Sequence, residues 1–413
     1  MKFNKWTMGL AAVGVVSLAS AARADETKMS QVQTALSNTT LSGYVDTAAQ
    51  WNLGSQNGGP TTPSTGVADG FTLNAIDIAL DKPQDESPWA AGYHVEMEAG
   101  PDAIPAATGG GVAVRQAYLA LRTPVGNSAI DWKVGVWDTI IGYESSSDPA
   151  NPNYTRSYGY GIEPTTHTGI LGTFKINDMF TVQAGVANAS NVGPGSPAGI
   201  NGVAAQESQK AYMGAVAFTA PDSWGWAKGT TINLGIINAD DSQGASAAPA
   251  PFGTPATFAG TTSLYAGATV PTPLTALKVG IAYDYLDLHN AQHVSVVPPG
   301  IGATGSDDSL SVLGFYANYQ YNDKLSFNGR FEHEEFNITN PGPGGAATPA
   351  LDEFTLTTQY ALWANVLSRV EFRWDHSEDH AAYDASGYGA GPSAGGPIHN
   401  NAYMVALNLI YQF

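Results

Sequence analysis

The sequence predicts an all-β fold: a transmembrane antiparallel up-and-down β-barrel of about sixteen strands, with short periplasmic turns and long external loops. Three observations carry this reading. The chain opens with an export signal, apolar and polar residues alternate with period two along most of its length, and its connections alternate between short and long.

Lys2 and Lys5 form a basic start, Met8 to Ala19 is apolar, and Ala22-Arg23-Ala24 has the form of a signal-peptide cleavage site. Residues 1–24 are therefore read as a signal peptide, with Asp25 opening the exported chain. The polar stretch 25–40, with Met29, Val32 and Leu36 at loosely helical spacing, reads as a periplasmic lead-in. Residues 41–413 form the barrel domain.

No apolar stretch past the signal approaches the ~18–20 residues of a helical span. A mean hydropathy of -0.12 is what alternating lipid-facing and lumen-facing residues average to. The last strand shows the pattern best. Tyr403, Val405, Leu407, Leu409, Tyr411 and Phe413 make one apolar stripe, with an aromatic at each end. Upstream, Tyr93, Val95 and Met97 alternate with His94, Glu96 and Glu98. Ile130, Trp132, Val134 and Val136 alternate with Asp131, Lys133, Gly135 and Trp137. Phe180, Leu277, Leu325 and Val370 open further alternating runs.

Strands are expected to start near Leu41, Asn74, Tyr93, Val114, Ile130, Thr168, Phe180, Ala211, Thr230, Thr262, Leu277, Leu310, Leu325, Phe354, Ser368 and Asn401. Short connections include Thr123–Ala129, Asn177–Met179, Pro271–Thr275 and Asn322–Lys324. Long ones, rich in Gly, Pro, Ser and Asn, include Leu53–Gly70, Thr139–His167, Asn238–Gly260, Asp287–Asp308 and Ser377–Asn400. A soluble sandwich has no reason to alternate its loops so regularly.

Composition narrows the function. The net charge is -19, and loss of the three basic residues of 1–24 lowers it to -22. With 17 Lys and Arg and no basic run, nucleic-acid binding is excluded as a class. The absence of Cys excludes disulfides and thiolate chemistry, and no cofactor motif is present.

Lys and Arg in the strands fall mainly on the polar phase, away from lipid. The lumen is expected to be lined by Arg115, Arg122, Lys133, Lys278, Arg330, Arg369 and Arg373, facing Glu96, Glu98, Asp284, Glu332, Glu371 and Asp375. Arg369-Glu371-Arg373-Asp375 places four charges at two-residue spacing on one face of one strand. Such a lining sets ion selectivity, salt-bridges the wall, or does both.

Several sharper signals carry no chemistry in the sequence. His376-Ser377-Glu378-Asp379-His380 and the acid pairs Asp240-Asp241 and Asp307-Asp308 lack a recognised metal-ligand spacing. His333-Glu334-Glu335 lacks the second His of a zinc protease helix, and Gly387 to Gly396 follows no βα unit. No Ser, His and carboxylate trio stands at the lipid-facing rim, as an outer-membrane lipid hydrolase would need.

The stretch Val114-Arg115-Gln116-Ala117-Tyr118-Leu119-Ala120-Leu121 resembles a strand motif of the OmpL-like β-barrel porins of Gram-negative bacteria. Val134-Gly135-Val136-Trp137-Asp138-Thr139-Ile140-Ile141-Gly142-Tyr143-Glu144, Asn153-Tyr154-Thr155-Arg156-Ser157-Tyr158 and Thr166-His167-Thr168-Gly169 follow in the family's order. The resemblance is best over residues 40–190. It implies a pore in the outer membrane for small polar solutes or ions, without catalytic residues; a closed structural or adhesive barrel is the alternative. By resemblance to sixteen-stranded porins, the third external loop, Thr139–His167, folds inward and narrows the pore. Glu144, Asp148, Arg156, Glu163 and His167 are its candidate constriction residues. The resemblance further implies contact with outer-membrane lipid, a homotrimer, and recognition of the terminal Phe413 by the barrel assembly machinery. The acid excess points to a weak cation preference.

Overall fold

The computed structural model describes residues 38–53, 69–102, 112–190, 209–239, 243–247, 255–258, 260–293, 306–337, 350–378, 383–384, 387–388 and 400–413. The signal segment, most of the lead-in, Asp240-Asp241 and His380 lie outside these residues, as do the side chains of Asp307 and Asp308.

Sixteen strands form the wall: β1 Thr40–Asn52, β2 Gly70–Lys82, β3 Ala91–Ala99, β4 Val112–Val125, β5 Ser128–Asp138, β6 Thr166–Lys175, β7 Phe180–Ala187, β8 Ala211–Thr219, β9 Thr231–Ala239, β10 Gly260–Pro271, β11 Leu277–His293, β12 Ser306–Gln320, β13 Leu325–Asn337, β14 Ala350–Trp363, β15 Val366–Ser377 and β16 Asn401–Gln412. Each pairs antiparallel with the next. β1 also pairs with β16 (Tyr44 opposite Gln412, Asn52 opposite Met404), so the sheet closes and leaves no edge. Phe413 joins this seam, its N–H donating to the Gly43 carbonyl at 3.0 Å. A small hairpin, Gln243–Ala247 with Pro255–Phe258, lies in the connection between β9 and β10 and extends the sheet against β11.

Two expected boundaries shift. The turn between β4 and β5 is only Gly126-Asn127 rather than Thr123–Ala129, because Val125 pairs with Ser128 across a Gly126 at φ 58°. β11 runs on to His293 and β12 starts at Ser306, so the connection expected over Asp287–Asp308 is shorter.

Period two sorts the two faces. Ile76, Ile78, Leu80, Leu119, Ile170, Leu234, Leu356 and Leu407 are exposed on the outer face. Aromatics rim both ends: Trp51, Phe71 and Tyr403 on the long-loop side, Trp224, Trp226, Tyr321, Trp363 and Tyr411 on the short-turn side.

The inner face is polar only in part. Trp137, Leu171, Met213, Ile237, Tyr265 and Tyr316 form one buried apolar cluster, and Leu286, Leu288, Leu310, Val312, Phe336 and Leu351 belong to a second. Both enclose residues of the third external loop, which explains why apolar side chains occupy luminal positions.

Candidate functional site: the lumen and its inward loop

Residues 139–165 connect β5 to β6 and run inside the barrel. The Thr139 N–H donates to the Thr165 carbonyl at 2.9 Å and closes the loop's neck. Within it, the Asn151 amide bonds the carbonyls of Ser145 (2.7 Å) and Ser147 (2.9 Å), fixing a 3₁₀ turn, Asp148–Ala150. Ser157 caps the short helix α1, Tyr158–Ile162, by accepting the Tyr160 N–H at 2.9 Å.

A loop this deeply buried must pair its backbone groups. The wall from β13 to β15 does so with charged side chains, guanidiniums reaching carbonyls and carboxylates reaching N–H groups. Arg330 on β13 donates to the carbonyls of Thr155 (2.7 Å) and Arg156 (3.1 Å), while pairing Glu144 and Glu353 at 2.6 Å each. On β15, Arg369 donates to the carbonyls of Asp148 (3.1 Å) and Asn151, and Arg373 to that of Arg156 (2.7 Å). Glu371 accepts the N–H groups of Tyr154 (2.5 Å) and Thr155 (2.9 Å), and Glu332 accepts that of Tyr158 (2.5 Å). Asp375 pairs Arg373 and takes the Tyr158 hydroxyl. The charge ladder expected on β15 thus serves as a docking surface for the loop, a role that two-residue spacing alone does not reveal.

The apolar side of the loop meets the neighbouring sector, β10 to β12. Tyr143 stacks on Tyr316 with ring centroids 3.9 Å apart and shares a hydrogen bond with Thr269. A Cβ at Gly280 would lie 1.9 Å from the Tyr143 hydroxyl, so β11 needs glycine there. Glu163 lies beside Asp284 of β11. Burial, and after it the Asp284 carboxylate, push the Glu163 carboxyl well above the ordinary glutamate range. Gly142, at φ +115°, leaves room for the Glu163 carboxylate.

The remaining constriction candidates separate. Arg156 pairs Asp148 at 2.6 Å, within the loop. His167 belongs to β6, beyond the loop, where it is buried against Trp137 and bonded to Thr139 at 3.2 Å. Among the lining residues, Arg115 pairs Glu96 (2.5 Å) and Asp138 (3.0 Å), and Arg122 pairs Asp131 at 2.8 Å near the turn end. Lys133 sits over the Tyr118 ring, and Lys278 is exposed at the periplasmic end of β11.

A second wall, β1 to β3, carries acids: Asp46, Asp77, Glu96 and Glu98, all buried from bulk solvent. Asn74 (2.7 Å) and Asn408 (2.6 Å) donate to Asp46, and the Tyr44 hydroxyl donates to Glu98 at 3.1 Å. Asp46 and Glu96 each sit at a register shift, where a bulge re-aims the side chain. Sequence reasoning missed Asp46 and Asp77, although Tyr44, Asp46, Ala48 and Gln50 share the inward phase of β1.

The sequence model of the family described as "Putative beta-barrel porin-2, OmpL-like" matches residues 38–413. The chain belongs to that family. Family and fold together imply an outer-membrane location and a porin-type barrel. No curated protein matches the sequence. Among solved structures, the trimer form of OmpT from Vibrio cholerae is similar at 13% identity and TM-score 0.57, covering 91% of this chain and 99% of that one. The outer membrane channel DcaP of Acinetobacter baumannii is similar at 9% identity and TM-score 0.57, covering 93% and 100%. An anion-selective porin from Comamonas acidovorans is similar at 13% identity and TM-score 0.54, covering 91% and 99%. At these identities the likeness is one of fold.

Proposed function

We propose that this porin-family chain is a passive diffusion channel for small hydrophilic solutes or ions, with a weak cation preference and no enzymatic activity. The observation that carries the reading is the loop 139–165 lying inside a closed sixteen-strand barrel, between a charge-paired wall and an acidic one. A fixed constriction with an acid excess selects by size and favours cations. The signal at 1–24 would export the chain. Phe413 would present the terminal strand to the assembly machinery, and a homotrimer in outer-membrane lipid would be the working form.

Single-channel conductance in a planar bilayer under a salt gradient tests this. Stable unitary steps with a reversal potential of cation-selective sign are expected. A folded barrel without steps overturns the channel reading. One observation favours the alternative of a closed barrel: Asn153, Thr155 and neighbouring loop residues are almost wholly buried. In that case steps appear only when the loop is detached.

A further inference from the structure

Strand register assembles a group of residues that the sequence scatters. His333 on β13 stands opposite Asp352 on β14, Asp352 opposite His376 on β15, and His376 opposite Asn401 on β16. This rung lies on the outward face at the external end. Two residues deeper runs an aromatic rung, Phe331, Phe354, Trp374 and Tyr403. The polar rung therefore stands at the level where an aromatic belt gives way to headgroups.

The His333 ring is held between two carboxylates, Nδ1 at 2.9 Å from Asp352 and Nε2 at 3.3 Å from Glu335. Glu378 follows β15, and its N–H donates to the Ala350 carbonyl at 3.1 Å, which turns this residue back toward β14. One ligand atom from each of His333, Asp352 and Glu378 lies within 4.8 Å of the others. Among the described residues, the ion pairs to Asp352 and Glu335 come from His333 alone, so two carboxylates share one imidazole with a third, Glu378, close by.

We propose that His333, Asp352 and Glu378 form a site for one divalent transition-metal ion of the zinc class, with Glu335 and His376 at its margin. Small side-chain rotations close this spacing around an ion held at about 2.0–2.2 Å by nitrogen and oxygen ligands. An imidazole among the donors selects zinc-like ions over calcium and magnesium, which take oxygen. The bound ion ties the external ends of β13, β14 and β15 together.

The test uses the full chain folded in detergent micelles and dialysed against zinc chloride, with bound metal counted by elemental analysis. His333→Ala is expected to lose one zinc per chain, and Asp352→Asn and Glu378→Gln to weaken that zinc by roughly ten- to a hundredfold, the size of effect known for altered metal shells. Heat-modifiable mobility on gels checks that each barrel is folded. Glu378 is exposed, so its variant carries the test if the others misfold. Calcium in hundredfold excess should leave the zinc in place. A wild-type chain that binds no zinc, folded variants that bind as much as wild type, or displacement by calcium overturns the site.

Discussion

The two charged walls of the lumen use the same residue types for opposite ends. From β13 to β15, Arg330 and Arg373 meet carboxylates and loop carbonyls together, and Arg369 meets loop carbonyls with the amides of Gln359 and Asn408, so the charges are consumed in holding residues 144–159 in place. From β1 to β3, four acids are met by amides, a tyrosine, the His94 imidazole and the single guanidinium of Arg115. The first wall is a mount, and the second holds acids that outnumber their cationic partners. Charge alone does not mark a selectivity element; what matters is whether its partners neutralise it.

Breaking the mount should have the largest effect. Arg330→Ala leaves Glu144 without its guanidinium and Glu353 with that of Arg373 alone, and removing one partner of a buried pair costs about 3–5 kcal/mol. The expected outcome is a lower thermal midpoint for the folded barrel and a larger, noisier unitary conductance. An unchanged conductance would mean that the loop does not narrow the passage.

Glu371→Ala should act in the same direction with less force. It strands the N–H groups of Tyr154 and Thr155, at about 1–3 kcal/mol for buried unsatisfied donors. Thermal unfolding followed by gel mobility reads the difference, which should fall below that of Arg330→Ala.

The acidic wall should respond differently. Asp46→Asn with Glu98→Gln keeps size and hydrogen-bonding shape while removing two titratable acids. Reversal potentials in a salt gradient should move toward zero while unitary conductance and thermal midpoint stay close to wild type. Loss of conductance instead would place these acids in the mount.

The smallest effect concerns pH. A carboxyl raised in the folded state contributes stability that is complete below its ordinary range, near ~4.3 for glutamate, and is lost as pH rises through the raised value. The neck at Glu163 should therefore loosen toward alkaline pH, seen as increasing current noise, and Glu163→Gln should flatten that dependence. A pH response that survives the substitution assigns it to another group.

Much of this architecture is legible in the residues themselves. Side chains alternate across a strand, so Tyr403 to Phe413 declares which face meets lipid, and the Gly- and Pro-rich runs declare the long loops. The inward loop came by resemblance, and its residues Glu144, Asp148 and Arg156 do reach one neighbourhood. His167 did not join them, because backbone pairing opposite Trp137 makes it part of the wall strand β6.

Register and closure are long-range facts, and they set what sequence spacing leaves open. Closure around the loop gave Arg369, Glu371 and Arg373 backbone partners 216–221 residues away. Pairing across strands put Leu286 and Leu310 inside, under a helix, and set His333 beside Asp352 and Glu378. Local alternation determined the two faces of the barrel, since it needs only neighbouring residues. Which charges are neutralised, and which stay to act on a passing ion, only the closed sheet could decide.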